Sequence, residues 1–215
     1  MIWRTEHIGT ARVSVIQADV TSASPEVLAD ALGAERVVMV SQVHGADAMW
    51  VEQVTDGSEA DAILTGRPGV APVVRVADCV PIGLVDRSGA WGGVVHAGRA
   101  GLVAGVVPAA VDALRGAGAD RLVAVVGPRI CGHCYELSDE LAESVAAAVP
   151  AARSTTSWGT PAADIGAGVV AQLRERQVEV LDLGADQCTR ENDHWFSYRR
   201  QGGAAGRFGI AVVLS

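Results

Sequence analysis

Three apolar runs follow one another between Val70 and Val95 with only short turns between them. The first is Val70 to Ala77, the second Val80 to Val85, the third Ala90 to Val95. Each is too short for a helix, rich in valine, and apolar at successive rather than alternate positions, which is the pattern of a strand buried on both faces. The breaks carry turn chemistry: Asp78-Cys79 with Pro81, then Asp86-Arg87-Ser88-Gly89, a hairpin turn. A chain with this centre must build a covered sheet. The first turn delivers Cys79, and the third strand delivers His96.

Other elements follow from local signals. Residues 12 to 17 read as a strand. Pro25 to Leu32 reads as a helix, with Ser24 as N-cap and Gly33 as stop. Arg36 to Val40 is a β-rich run leading into Gln42-Val43-His44-Gly45, and Asp47 to Val54 is the candidate returning strand. Residues 61 to 66 form a short apolar element. Leu102 to Leu114 has helical periodicity, interrupted by Pro108. Residues 121 to 126, 178 to 183 and 208 to 214 read as strands, and 137 to 149 and 162 to 173 as helices. Pro150 to Pro161 is the one long loop and a candidate lid or edge. Without a long linker or internal repeat, residues 1–215 are expected to form a single domain.

The chain has 215 residues, 49% of them hydrophobic and 20% charged, so a sizeable core is available. A net charge of −8 argues against a general nucleic-acid binder. It leaves room for a small phosphorylated or nucleoside ligand held by a few arginines. There is neither an apolar signal segment near the N-terminus nor a run long enough to span a bilayer. The expectation is a cytoplasmic protein, monomer or homodimer, with no membrane partner. Its four cysteines are then expected to be reduced thiols or ligands.

His44, Cys79 and His96 are candidate ligands of one metal. Two imidazoles and a thiolate suit zinc, and suit copper or iron less well. Three protein ligands with a fourth position open is the pattern of a catalytic zinc. All three lie at strand ends beside Gly or Pro, but their separations of 35 and 17 residues enforce nothing locally. Each taken singly reads as structural.

Four segments resemble, in order, the laccase-domain family, also called multicopper polyphenol oxidase-like or YfiH/YlmD. They are QVHG at 42–45, DAILT to ADCVP at 61–81, HAG at 96–98 and FSYRR at 196–200, with GPRICGHCYEL at 127–137 and Cys188-Thr189 in support. The resemblance implies a YfiH-like α/β (α+β) domain with mixed sheets flanked by helices, related in shape to bacterial toxin deamidases. It implies a zinc site at His44, Cys79 and His96, with copper as second choice. It also implies purine nucleoside phosphorylase activity, with adenosine deamination and methylthioadenosine cleavage alongside. Nucleoside and phosphate are the implied small-molecule partners. Gln42, Arg99, Arg199 and Arg200 become substrate-binding candidates, with Ser197 and Tyr198 as hydroxyl partners. Cys79 and His96 would act in catalysis. Asp78 would orient a zinc-bound imidazole or shuttle a proton.

Two departures stand out. The family usually continues HAG with Trp-Arg-Gly, and here it is Arg99-Ala100-Gly101. The N-terminal part is short and unlike the family's. A metal-free hydrolase or amidase, including one that edits peptidoglycan precursors, with Cys79 as nucleophile and His96 as base, is the rival reading. It leaves His44 without a role. A non-catalytic member is a third. Copper-dependent phenol oxidation ranks last, because several coppers need about ten ligands, mostly histidine, and the chain has five histidines. Cys131-Gly132-His133-Cys134 fits a structural zinc or a redox pair. Lacking a second C-x-x-C, it reads as two semi-buried thiols in a loop before a helix.

Overall fold

The computed structural model describes residues 1–215. In chain order the elements are β1 (Ile2–Ile8), β2 (Ala11–Ile16), α1 (Pro25–Leu32), β3 (Arg36–Val38), β4 (Ala48–Trp50), β5 (Ala62–Thr65), β6 (Val70–Val76), β7 (Val80–Asp86), β8 (Gly92–Ala97), α2 (Arg99–Ala104) and α3 (Val106–Gly116). Then come β9 (Leu122–Val126), α4 (Asp139–Ala148), β10 (Arg153–Thr155), β11 (Pro161–Ala163), α5 (Ile165–Glu175), β12 (Glu179–Asp182), α6 (Tyr198–Gln201) and β13 (Phe208–Val213). A mixed five-stranded sheet runs β1-β2-β13-β6-β3, and a mixed six-stranded sheet runs β12-β9-β7-β8-β5-β4.

The central runs are apolar throughout because both sheets are covered twice. One core lies between the sheets, where Val13, Val74 and Ile210 meet Ile63, Val85, Val94 and Val125. The outer face of the six-stranded sheet, with Ile82, Leu84 and Val95, packs on α2, α3 and α5 through Leu102, Val107, Leu114 and Val169. The outer face of the five-stranded sheet packs on α1 through Leu28 and Leu32. Alternate residues of β7 therefore enter different cores, and neither set can be polar. Gly83 of β7 faces the other sheet, where an added Cβ would stand 2.4 Å from Val13 Cγ1. The sheets approach more closely there than any side chain allows.

Helix α1 forms as its sequence signals require. The Ser24 hydroxyl accepts from the Val27 N–H, and Gly33 closes the helix at φ +61. Other expectations need correction. The single helix over 102–114 is two, α2 and α3, broken at Gly105 (φ +88). Pro108 lies in the first turn of α3, where a missing N–H costs little. The helix expected from 162 begins at Ile165, after Asp164 caps it. The long loop at 150–161 is no lid: β10 pairs with β11, and Arg153 pairs with Glu143 of α4. The edge strand β1, with mixed burial, and the short α6 carry no strong sequence pattern. No helix is long and apolar enough to cross a membrane.

Candidate active site and metal centre

One end of the six-stranded sheet collects the candidate ligands. Strand β7 starts there, β8 ends there and β5 starts there, since Val80 pairs with Ala97 and Ala62 with Val95. Cys79 immediately precedes β7, His96 lies near the end of β8, and Asp61 immediately precedes β5. The loop between β3 and β4 supplies His44. Long sequence separations thus collapse to one rim, and His44, Cys79 and His96 place their donor atoms within 4.8 Å of one another. Cys79 Sγ is 3.7 Å from His44 Nε2, and the two imidazoles meet edge to face at 4.7 Å between centroids.

Asp61 holds two of the three, and the sequence reading missed it. Its carboxylate has no solvent exposure. Oδ2 accepts from the N–H groups of Val43 (3.2 Å) and Gly45 (2.6 Å). Oδ1 accepts from the His44 N–H at 3.0 Å and lies 2.7 Å from His96 Nδ1. The Asp61 carbonyl also accepts the His96 N–H. One residue therefore fixes the His44 loop, where His44 takes φ +60, and the orientation of the His96 ring. With Nδ1–H donated to Asp61, His96 Nε2 is free to bind a cation, the arrangement by which a carboxylate orients a metal-binding histidine. The available signal was an acid directly before a short, mostly apolar strand.

The electrostatics agree. Burial pushes the Cys79 thiol up, but hydrogen bonds from His44 and His96 outweigh it and bring it to about 6. Burial pushes His96 down, but Asp61 and Cys79 raise it to about 9. Asp61, for which burial works upward, is held below the usual carboxylate range by His96 and the loop N–H groups. The cluster thus favours a thiolate, the form in which cysteine binds metal. Gly98 completes it: a Cβ there would stand 2.6 Å from His44 Cδ2 and 3.1 Å from Cys79 Sγ. The donor set, the free imidazole nitrogen and the space left by Gly98 all fit a divalent ion.

The three candidate ligands form one wall of a cavity of about 920 Å³. Arg75, Arg99, Arg199 and Arg207 also line it, and none pairs with a carboxylate. In a chain of net charge −8 this is a localised cationic pocket. Arg199 stacks on Tyr135, its guanidinium carbon 5.0 Å from the ring centre. Arg207, which the sequence reading overlooked, has its backbone N–H accepted by Asp19, and its guanidinium donates to the carbonyls of Ala205 and Gly206.

Three of the expected site residues are engaged in hydrogen bonds within the chain. Arg200 does not line the cavity. Its guanidinium donates to the carbonyls of Thr189, Arg190 and Trp195, bracing the chain before α6. Asp78 lines the cavity but does not orient an imidazole, a role Asp61 fills. Its carboxylate accepts from the Thr189 hydroxyl at 2.6 Å and the Arg199 N–H at 2.7 Å. Gln42 also lines the cavity, yet its amide is spent on the N–H and carbonyl of Arg75 in β6. It anchors the His44 loop. Of the hydroxyl partners, Tyr198 lines the cavity, whereas the buried Ser197 caps α6.

The sequence profile described as multi-copper polyphenol oxidoreductase laccase matches residues 16–215. The chain belongs to that family. A purine nucleoside phosphorylase of Streptomyces coelicolor is 47% identical over 189 residues, covering 83% of this chain and 76% of that one. A purine nucleoside phosphorylase of Mycobacterium tuberculosis H37Rv is 36% identical, covering 97% and 83%. Among solved structures, a DUF152-family protein of Neisseria meningitidis superimposes with a TM-score of 0.82 at 22% identity, covering 100% of this chain and 99% of that one. YlmD of Geobacillus stearothermophilus gives 0.79 at 24% identity, covering 96% and 93%. The laccase-domain fold expected from the sequence is thus the fold observed. The phenol-oxidising label has little local support, because the histidines outside the triad (His7, His133 and His194) form no second cluster.

Proposed function

We propose that this laccase-domain protein is a purine nucleoside phosphorylase acting at a zinc centre formed by His44, Cys79 and His96. The observation that carries the reading is that Arg99 and Arg199, neither paired with a carboxylate, line the same cavity as the three donors. A site for a nucleoside and phosphate needs both an anion pocket and room for a purine, and about 920 Å³ is ample. The names of the relatives point the same way. The four thiols, none in a disulfide, suit a reducing compartment, hence the cytoplasm.

Bound zinc would supply Lewis-acid polarisation of a substrate atom. The chain's own residues do the rest. Arg99 and Arg199 hold phosphate through their forked donors and present an oxygen to the sugar carbon that carries the base. That carbon–oxygen bond forms as the bond to the base breaks. Tyr135, whose phenol is kept protonated by burial and by Cys79, can donate a hydrogen bond within the cavity. Asp61 keeps His96 from rotating. Adenosine deamination and methylthioadenosine cleavage are side activities of the same pocket.

The test is adenosine or inosine turnover with and without phosphate, with the sugar product identified. Phosphorolysis yields free base and a sugar 1-phosphate, and requires phosphate. Free ribose formed without phosphate would overturn the reading. That outcome would favour the Cys79–His96 hydrolase, whose one support is the low thiol and raised imidazole values. Two variants separate binding from bracing. Arg99→Ala should raise KM for phosphate ~10-fold or more, the loss of one charged hydrogen-bonding group, with melting little changed. Arg200→Ala should lower Tm by roughly 6–10 °C, from about 3 kcal/mol of lost charged hydrogen bonds. Equal effects of the two on phosphate KM alone would contradict these assignments.

A further inference from the structure

Outside the cavity, the structure gathers four side chains that the nucleoside reading leaves unused. Cys131, Cys134, Cys188 and Glu191 bring three Sγ atoms and a carboxylate oxygen within 4.8 Å of one another. Cys134 donates to Glu191 Oε1 at 3.3 Å, and Cys188 Sγ accepts the Cys131 N–H at 3.4 Å. The missing partner of the 131–134 C-x-x-C is thus a C-x-x-E, Cys188-Thr189-Arg190-Glu191. The two tetrapeptides fold alike. The N–H groups of Cys134 and Tyr135 bond the Cys131 carbonyl, and those of Glu191 and Asn192 bond the Cys188 carbonyl.

We propose that Cys131, Cys134, Cys188 and Glu191 form a second, structural metal site that takes zinc in a closed tetrahedral set of three thiolates and one carboxylate. Paired turns of this spacing are how structural zinc sites present ligands. Around a tetrahedral zinc, sulfurs at about 2.3 Å lie about 3.8 Å apart. The observed clustering therefore suits one ion and is too tight for an iron–sulfur cluster, whose sulfurs stand farther apart. Cys134 and Cys188 are 4% and 8% exposed, Cys131 is half-buried, and Glu191 would close the set from the exposed side. On binding, three thiol protons leave to solvent and the ion bonds three thiolates. Two guanidiniums offset the excess negative charge, since Arg190 donates to the Cys134 carbonyl and Arg200 to those of Thr189 and Arg190.

The site has a mechanical consequence. The Ile130 N–H donates to the Asp78 carbonyl, and the Thr189 hydroxyl donates to the Asp78 carboxylate. Each of these residues adjoins a proposed ligand, and Asp78 precedes Cys79 at φ +91. An ion joining 131–134 to 188–191 braces both segments that grip the Cys79 turn.

Elemental analysis of the full chain, loaded with zinc and gel-filtered, decides the matter. About two zinc ions per chain are expected in wild type, and about one each in Cys79→Ala and Cys134→Ser. Glu191→Gln should keep the ion but release it to a weaker chelator. Equal zinc in wild type and Cys134→Ser would overturn the proposal, and the Cys79→Ala arm reports on the other site independently. Should Cys134→Ser fail to fold, cobalt loaded into Cys79→Ala gives a second readout. Strong thiolate-to-cobalt charge-transfer absorption is expected there. Its absence, or an intact mass lower by two hydrogens from a disulfide, would refute the site.

Discussion

Asp61→Asn is expected to destabilise the protein by about 3–5 kcal/mol and to weaken metal binding 10–100-fold or more. The carboxylate takes three backbone N–H groups and one imidazole N–H, and the residue is fully buried. An amide of the same shape keeps one acceptor oxygen. Whichever way it is turned, its NH₂ faces an N–H: those of Val43 and Gly45 in one orientation, those of His44 and His96 in the other. At least one buried donor is left unpaired, and the His96 imidazole loses the group that fixes its tautomer. In a chain of this size the stability loss is a fall in Tm of roughly 10 °C. Thermal melting and zinc competition with a chromophoric chelator measure the two effects. A Tm within about 2 °C of wild type together with unchanged zinc affinity would mean that Asp61 does not hold the His44 loop and the His96 ring.

Gly98→Ala should disable the proposed metal centre while sparing the fold. Gly98 sits at φ −84, ψ 178, where alanine is unstrained. Only the methyl matters, and it would overlap His44 Cδ2 at 2.6 Å and crowd Cys79 Sγ at 3.1 Å. The His44 ring must move, because Cys79 is fixed by the start of β7. Crowding of this kind costs about 1–3 kcal/mol, and displacing one of three ligands should lower zinc affinity at least tenfold. Gly203→Ala is the control, since nothing lies within 4 Å of its added Cβ. Zinc affinity and nucleoside turnover equal to the control would mean that the HAG glycine does not shape the site.

What the sequence showed and what it hid divide along the range of the interactions. Helix α1 was legible because its cap and stop are local. The central strands were legible because burial on both faces leaves an unbroken apolar run. The grouping of His44, Cys79 and His96 as a candidate metal triad emerged from residue type and resemblance rather than spacing. Asp61 was hidden because an acid before a strand looks like an ordinary turn residue until the rest of the rim is placed around it. Arg200 misled because a motif arginine beside Arg199 reads as a ligand, whereas its three carbonyl partners come from loop residues whose path no pattern specifies. The second cysteine cluster was half visible: Cys188 and Glu191 lie more than 50 residues from Cys134, and only the fold joins them.

The most direct test of the central claim is phosphorolysis of adenosine by chelator-stripped protein before and after zinc is restored, in wild type beside Cys79→Ala. Little turnover is expected without metal, recovery with zinc in wild type, and none in the variant, with a sugar 1-phosphate as product. Undiminished turnover by the stripped wild type, or recovery in Cys79→Ala, would contradict a metal centre at His44, Cys79 and His96 as the seat of the reaction.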